Sequence, residues 1–148
     1  MLYHATRQRF IGSIKKEGLH ATNTKSFDGQ IGEGFVYFAF DNDVAGSFVE
    51  CADNIPESWY DDNIIVLAVN ENDLNKDMFE KDPNIIDGDE ISIAYRGCVP
   101  PDMLGVIDYK NKRIEPLLNV KKFSDRFYYG GYGIYHDNDA TMEDYEER

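Results

Sequence analysis

Leu2-Tyr3-His4-Ala5-Thr6 opens the chain, a helical stretch then closes on Ile14-Lys15-Lys16-Glu17-Gly18-Leu19, and Gly34-Phe35-Val36-Tyr37-Phe38-Ala39-Phe40-Asp41 follows after a polar interval. The first phrase reads as a strand with Tyr3 and Ala5 on one face and His4 and Thr6 on the other. Thr6 is the expected N-cap of a helix reaching Glu17, with Phe10, Ile11 and Ile14 on its apolar face and Lys15 and Lys16 in the last turn, where the helix dipole favours cations. Gly18 is a left-handed stop that lets Leu19 fold back. Residues 35–40 are apolar nearly throughout, as suits a strand covered on both faces. Asp41 or Asn42 then caps a second helix, whose positions Val44, Ala45, Phe48, Val49 and Ala52 keep helical spacing.

Working outward, residues 20–33 form a polar loop of about 14 residues, long enough to serve a function. Residues 53–62 are a polar connection carrying Trp59, and residues 64–69 an aliphatic strand. The acidic stretch 70–89 predicts one short helix over about 74–79, and 91–95 another strand. Val106 to Tyr109 and Arg113 to Leu117 predict a hairpin around Lys110-Asn111-Lys112, entered through Gly105. The expectation is one α+β domain over 1–135, whose Tyr- and Gly-rich segment 127–135 packs on the body, followed by an acidic, disordered tail over 136–148.

Twenty-eight acidic against fifteen basic residues give a net charge of −13. Such a surface repels a phosphate backbone and disfavours a general electrostatic grip on nucleic acid; the plain reading of the charge is solubility, and the sharper one is recognition of a basic partner or mimicry of a polyanion. Cys51 and Cys98 form no metal or redox motif and are expected as free thiols. No apolar run approaches the ~20 residues that span a bilayer, and no leader pattern follows Met1, which together predict a cytoplasmic protein. The three histidines lack ligand spacing, so no metal site is expected.

Two residues draw attention for chemistry. His4, with Thr6, puts two hydrogen-bonding groups on one strand face; the plain alternative is a solvated or structural histidine. Tyr37, beside the small Ala39, leaves room for a flat group on its ring; the plain alternative is a core aromatic.

In these phrases the first half of the chain resembles the ADP-ribosyltransferase-like superfamily, which includes the RNA 2′-phosphotransferases and poly-ADP-ribose polymerases. The phosphotransferase branch has a second histidine where this chain has Tyr37, so the resemblance leans toward the His–Tyr–Glu pattern of ADP-ribosyl transfer. It implies a split β-sheet core with two short helices, and NAD as the bound substrate. It further implies that His4 holds ribose hydroxyls, that Tyr37 stacks on nicotinamide, and that both converge on one cleft. Thr6, Arg7 and Ala39 would line that cleft; Arg7 and Arg9, near the start of the first helix, are the candidate diphosphate contacts, with plain surface charge as the alternative for Arg9. A carboxylate on a late strand would offset the positive charge that develops as the glycosidic bond breaks. Glu90 is assigned that role, with Ser92 or Ile91 as alternative occupants, because it precedes the strand leading to Gly97-Cys98-Val99-Pro100-Pro101.

The resulting expectation is a mono-ADP-ribosyltransferase of bacterial or phage effector type, acting in the cytoplasm (of the host, if phage-encoded) on a macromolecule, protein before nucleic acid. Two alternatives stand beside it. One is a non-catalytic acidic interaction protein, an inhibitor or polyanion mimic, on the same scaffold. The other is an RNA 2′-phosphotransferase, which the replaced histidine and the acidic surface disfavour.

Overall fold

Alternating apolar residues on the strands build two hydrophobic clusters, one on each face of a single sheet. A computed structural model describes residues 1–21, 34–51, 55–82 and 91–118. Its strands are β1 (Leu2–Arg7), β2 (Val36–Ala39), β3 (Ile64–Val69), β4 (Phe79–Lys81), β5 (Ser92–Tyr95), β6 (Leu104–Asp108) and β7 (Arg113–Pro116). They pair antiparallel throughout, in the order β4-β5-β2-β1-β3-β6-β7. The helices are α1 (Ile11–Glu17) and α2 (Asn42–Glu50). The α+β class and the two short helices therefore hold, on a sheet that is continuous by hydrogen bonding.

One face carries Leu2, Val36, Phe38, Leu67 and Val69 against Ile11 and Ile14 of α1. The other carries Tyr3, Ala39, Val66, Ala68, Ile107 and Ile114 against Ala45 of α2, with Val44 and Phe48 packed alongside. Removing this apolar surface from water on both sides of β1, β2 and β3 is the main source of stability, at about 25 cal/mol per Å².

The first helix starts later than its sequence suggests. β1 runs through Arg7, Gln8–Phe10 form a 3-10 turn, and α1 begins only at Ile11. Thr6 is thus a strand residue paired with Ile65, and Phe10 stands half-exposed against Trp59. The cause is β3, which pairs with all six residues of β1 and holds the chain extended past the cap. At the far end Gly18 behaves as expected, with φ 77° and its N–H donating to the Ile14 carbonyl at 2.8 Å. Leu19 then exchanges two backbone hydrogen bonds with Val99, each 2.9 Å. Asp41 caps α2, accepting from the Asp43 N–H at 2.7 Å.

Between β3 and β4 the expected short helix is absent. Asn70 and Asn75 each accept the N–H two residues on, which closes two 3-10 turns, and Phe79 enters β4 instead. These local side-chain bonds outcompete the helix. The hairpin forms one step earlier than predicted, with Gly105 inside β6 facing Pro116. Residues 22–33, 52–54, 83–90 and 119–148 lie outside the described residues, and with them most of the expected long loop, Ala52, the Tyr- and Gly-rich segment and the acidic tail. Among the described residues no helix is long and apolar enough to cross a membrane.

A Cβ on Gly18 would stand 2.1 Å from the Val99 carbonyl oxygen, whereas one on Gly46, inside α2, meets nothing within 4 Å. Gly18→Ala is therefore expected to lower stability by about 2 kcal/mol or more, and Gly46→Ala to raise it by ~0.5–1 kcal/mol. Urea unfolding of the two variants checks this, and effects of the same sign would contradict the packing described.

Candidate functional site

The candidate site is the junction of β1 and β2. The Gln8 N–H donates to Asn63 at 2.8 Å, so the even residues of β1 turn their backbone groups to β3 and the odd ones face β2. The Phe40 N–H donates to Ile91 at 3.1 Å, so Tyr37 and Ala39 likewise face β1. Tyr3 pairs with Ala39, and the ladder ends there. In this register Ala5 and Tyr37 stand next in line, beyond the end of the ladder. The His4 ring reaches across instead, its Nδ1 lying 2.8 Å from the Tyr37 carbonyl oxygen.

A carbonyl only accepts, so Nδ1 carries the proton and donates, which leaves Nε2 as the atom that titrates. The ring is edge-on to the buried Phe38, with centroids 6.1 Å apart. Burial holds the imidazole pKa below its ordinary value, with the bond to Tyr37 pulling weakly the other way. His4 is thus neutral near pH 7, with Nε2 available as an acceptor.

The structure brings His4 and Tyr37 together in a way the sequence did not suggest. His4 shares the face of Leu2 and α1, while Tyr37 shares the face of Ala39 and α2. The expected convergence of imidazole and phenol on one face is corrected: the register of Tyr3 with Ala39 sets Tyr37 across from Ala5, not His4. What meets His4 is the backbone of Tyr37. The phenol ring leans on Phe35 with centroids 5.9 Å apart, and the Arg96 guanidinium covers Phe35 from 4.7 Å.

The remaining assigned residues divide clearly. Ala39 is buried in the α2-side cluster, and Thr6 lies two residues along β1 from His4 on the same face. Arg7 is not a diphosphate contact. Its guanidinium is buried and donates from Nη1 to the carbonyls of Trp59 (2.6 Å), Asp62 (2.9 Å) and Tyr60 (3.5 Å), and from Nη2 to Val49 at the end of α2 (3.3 Å). Those bonds fasten the loop ahead of β3 to α2 and occupy the charge. Arg9 is a surface residue paired with Asp62 at 3.1 Å and lying over Trp59. Glu90 lies outside the described residues.

Sequence reasoning missed Asp82. Its buried carboxylate accepts a 2.5 Å hydrogen bond from Ser92 Oγ. Ser92 pairs with Ala39, so this carboxylate stands on the Tyr37 side of the sheet, one strand away. Only the β4–β5 register reveals it, and residues 83–90 between the two lie outside the described residues. An open groove of about 470 Å³ also runs on this side between α2 and β3, lined by Asn42, Ser47, Glu50, Ile64, Val66 and Tyr109. It comes within one strand of the junction, since Val66 is Ala5's partner on β3. Among the described residues no three His, Cys, Asp or Glu side chains gather as metal ligands.

No protein-family model, curated protein or solved structure matches the chain.

Because the folded pKa of His4 is depressed, the stability tied to its neutral form is fully present above about pH 6.5 and is lost as pH falls through the lower folded value. Ring-proton NMR is expected to give His4 a midpoint below 6.5, and urea unfolding to show a loss between pH 7.5 and 5.5 that His4→Gln reduces. A midpoint at or above 6.5 would contradict the half-buried, neutral ring.

Proposed function

We propose that the chain binds NAD at the β1–β2 junction and transfers ADP-ribose to a macromolecular acceptor, a protein before a nucleic acid. The observation that carries this reading is the early end of the β1–β2 ladder, with His4 bridging the gap to Tyr37. Past that point Ala5 has no ladder partner on the β2 side. A strand edge offers an N–H and a C=O side by side, the complement of a primary carboxamide such as that of nicotinamide. His4 Nε2, neutral and accepting, suits a ribose hydroxyl. The phrases around His4, Gly18 and Tyr37 that resemble the ADP-ribosyltransferase-like superfamily support the same ligand.

Chemically, the step asks for a carboxylate beside the nicotinamide ribose, to stabilise the cationic character that appears as the C–N bond lengthens. Glu90 is the proposed carboxylate. Asp82, held by Ser92 on the Tyr37 side of the sheet, is the described group that could take its place.

A second reading has specific support. With the phenol on the opposite face from His4 and the Arg7 charge committed to four carbonyls, the scaffold also suits a non-catalytic interaction protein whose −13 charge engages a basic partner.

Labelled NAD separates the two. Nicotinamide release or self-labelling is expected to fall by about 100-fold in Glu90→Gln and by about 10-fold or more in His4→Ala. Loss in Asp82→Asn with Glu90→Gln unaffected would move the carboxylate. Absence of NAD binding by calorimetry, together with a salt-sensitive complex with a basic protein that His4→Ala leaves intact, would replace the transferase with the interaction protein.

A further inference from the structure

Cys98 and His20 are 78 residues apart in the chain, yet His20 Nδ1 lies 3.1 Å from Cys98 Sγ, and both side chains are exposed. Their meeting is built by the backbone. Leu19 and Val99, the next residue on each segment, exchange two hydrogen bonds of 2.9 Å and are both buried. Gly18, before Leu19, has no room for a Cβ beside Val99, and Gly97, before Cys98, sits so close to the Tyr95 ring that a Cβ would come within 2.6 Å of it. Two close-packed glycines and a two-bond bridge therefore fix a thiol and an imidazole against each other on the α1 side of the molecule. Neither residue belongs to the β1–β2 junction.

We propose that Cys98 and His20 form a thiol–imidazole pair that undergoes exchange with small disulfides, making Cys98 a site of reversible mixed-disulfide modification. The thiolate is the nucleophile in such exchange, and an adjacent imidazole that takes the thiol proton increases its supply. As Sγ loses its proton to His20 Nδ1, it attacks one sulfur of the disulfide. A new Cys98 S–S bond forms, the old S–S bond breaks, and the departing thiolate recovers the proton from the imidazolium. Two electrons from Cys98 reduce the leaving sulfur, and the disulfide is the only oxidant required. The reaction asks for neither an oxyanion hole nor a metal, which matches what an exposed two-residue pair supplies.

Cys51 provides the internal control. It is also free and exposed, at the end of α2, with no histidine beside it among the described residues. The test treats the full-length protein with glutathione disulfide and, separately, with 5,5′-dithiobis(2-nitrobenzoate), and follows each cysteine by peptide mass spectrometry. Cys98 is expected to react about tenfold faster than Cys51. His20→Gln is expected to slow Cys98 about tenfold while leaving the Cys51 rate unchanged, the latter showing that the fold is intact. Equal rates at the two cysteines, or a fast Cys98 that His20→Gln does not slow, would overturn the proposal. If His20→Gln disturbs the Cys51 rate, His20→Asn in a Cys51→Ser background, checked by circular dichroism, decides between the same two outcomes.

Discussion

The bond from the His4 ring to the Tyr37 carbonyl is the constraint on which the centre of the molecule rests. β1 and β2 are neighbours in the middle of a seven-stranded sheet, where an unpaired carbonyl would be costly. Their ladder nevertheless stops after one pair. An imidazole can cross such a gap because it projects a rigid N–H well beyond the backbone. In doing so it fixes its own tautomer, satisfies the Tyr37 carbonyl, and leaves Ala5 without a ladder partner on that side. The sheet stays continuous through the pair of Tyr3 with Ala39, and beyond that pair the His4 ring bonds to the Tyr37 carbonyl.

The rest of the fold supports that interruption from outside. β3 pairs with β1 over its full length, and β5 pairs with all four residues of β2, so each strand is anchored on its far side. Arg7 binds the end of α2 to the loop before β3, and the Leu19–Val99 bridge clips α1 to the segment after β5. Burying a guanidinium is tolerated because four carbonyls surround it. These fastenings lie on either side of the junction of β1 and β2.

Much of this was legible in the sequence, and what escaped has a physical reason. Periodicity placed β1, β2, β3 and both helices, and capping chemistry placed Asp41 and Gly18, because those signals are local. Alternation sorted His4 from Tyr3 correctly within one strand. It could not relate His4 to Tyr37, since that depends on a register set by the distant pair Tyr3 and Ala39. Arg7 looked like a ligand contact because its partners are backbone carbonyls, which leave no trace in residue identity. Asp82 with Ser92, and His20 with Cys98, were invisible for a related reason: the β4–β5 pairing brings the first two together and the isolated Leu19–Val99 bridge the second. The short helix expected near Leu74 failed because asparagine side chains closed turns first.

Backbone NMR during titration with NAD, and with nicotinamide alone, addresses the junction most directly. If the opening between β1 and β2 is the ligand slot, the amides of Ala5 and Tyr37 and the ring protons of His4 shift together and saturate, with nicotinamide alone reproducing the Ala5 shift. A folded spectrum in which those three signals stay still, while others move or none do, would contradict the account.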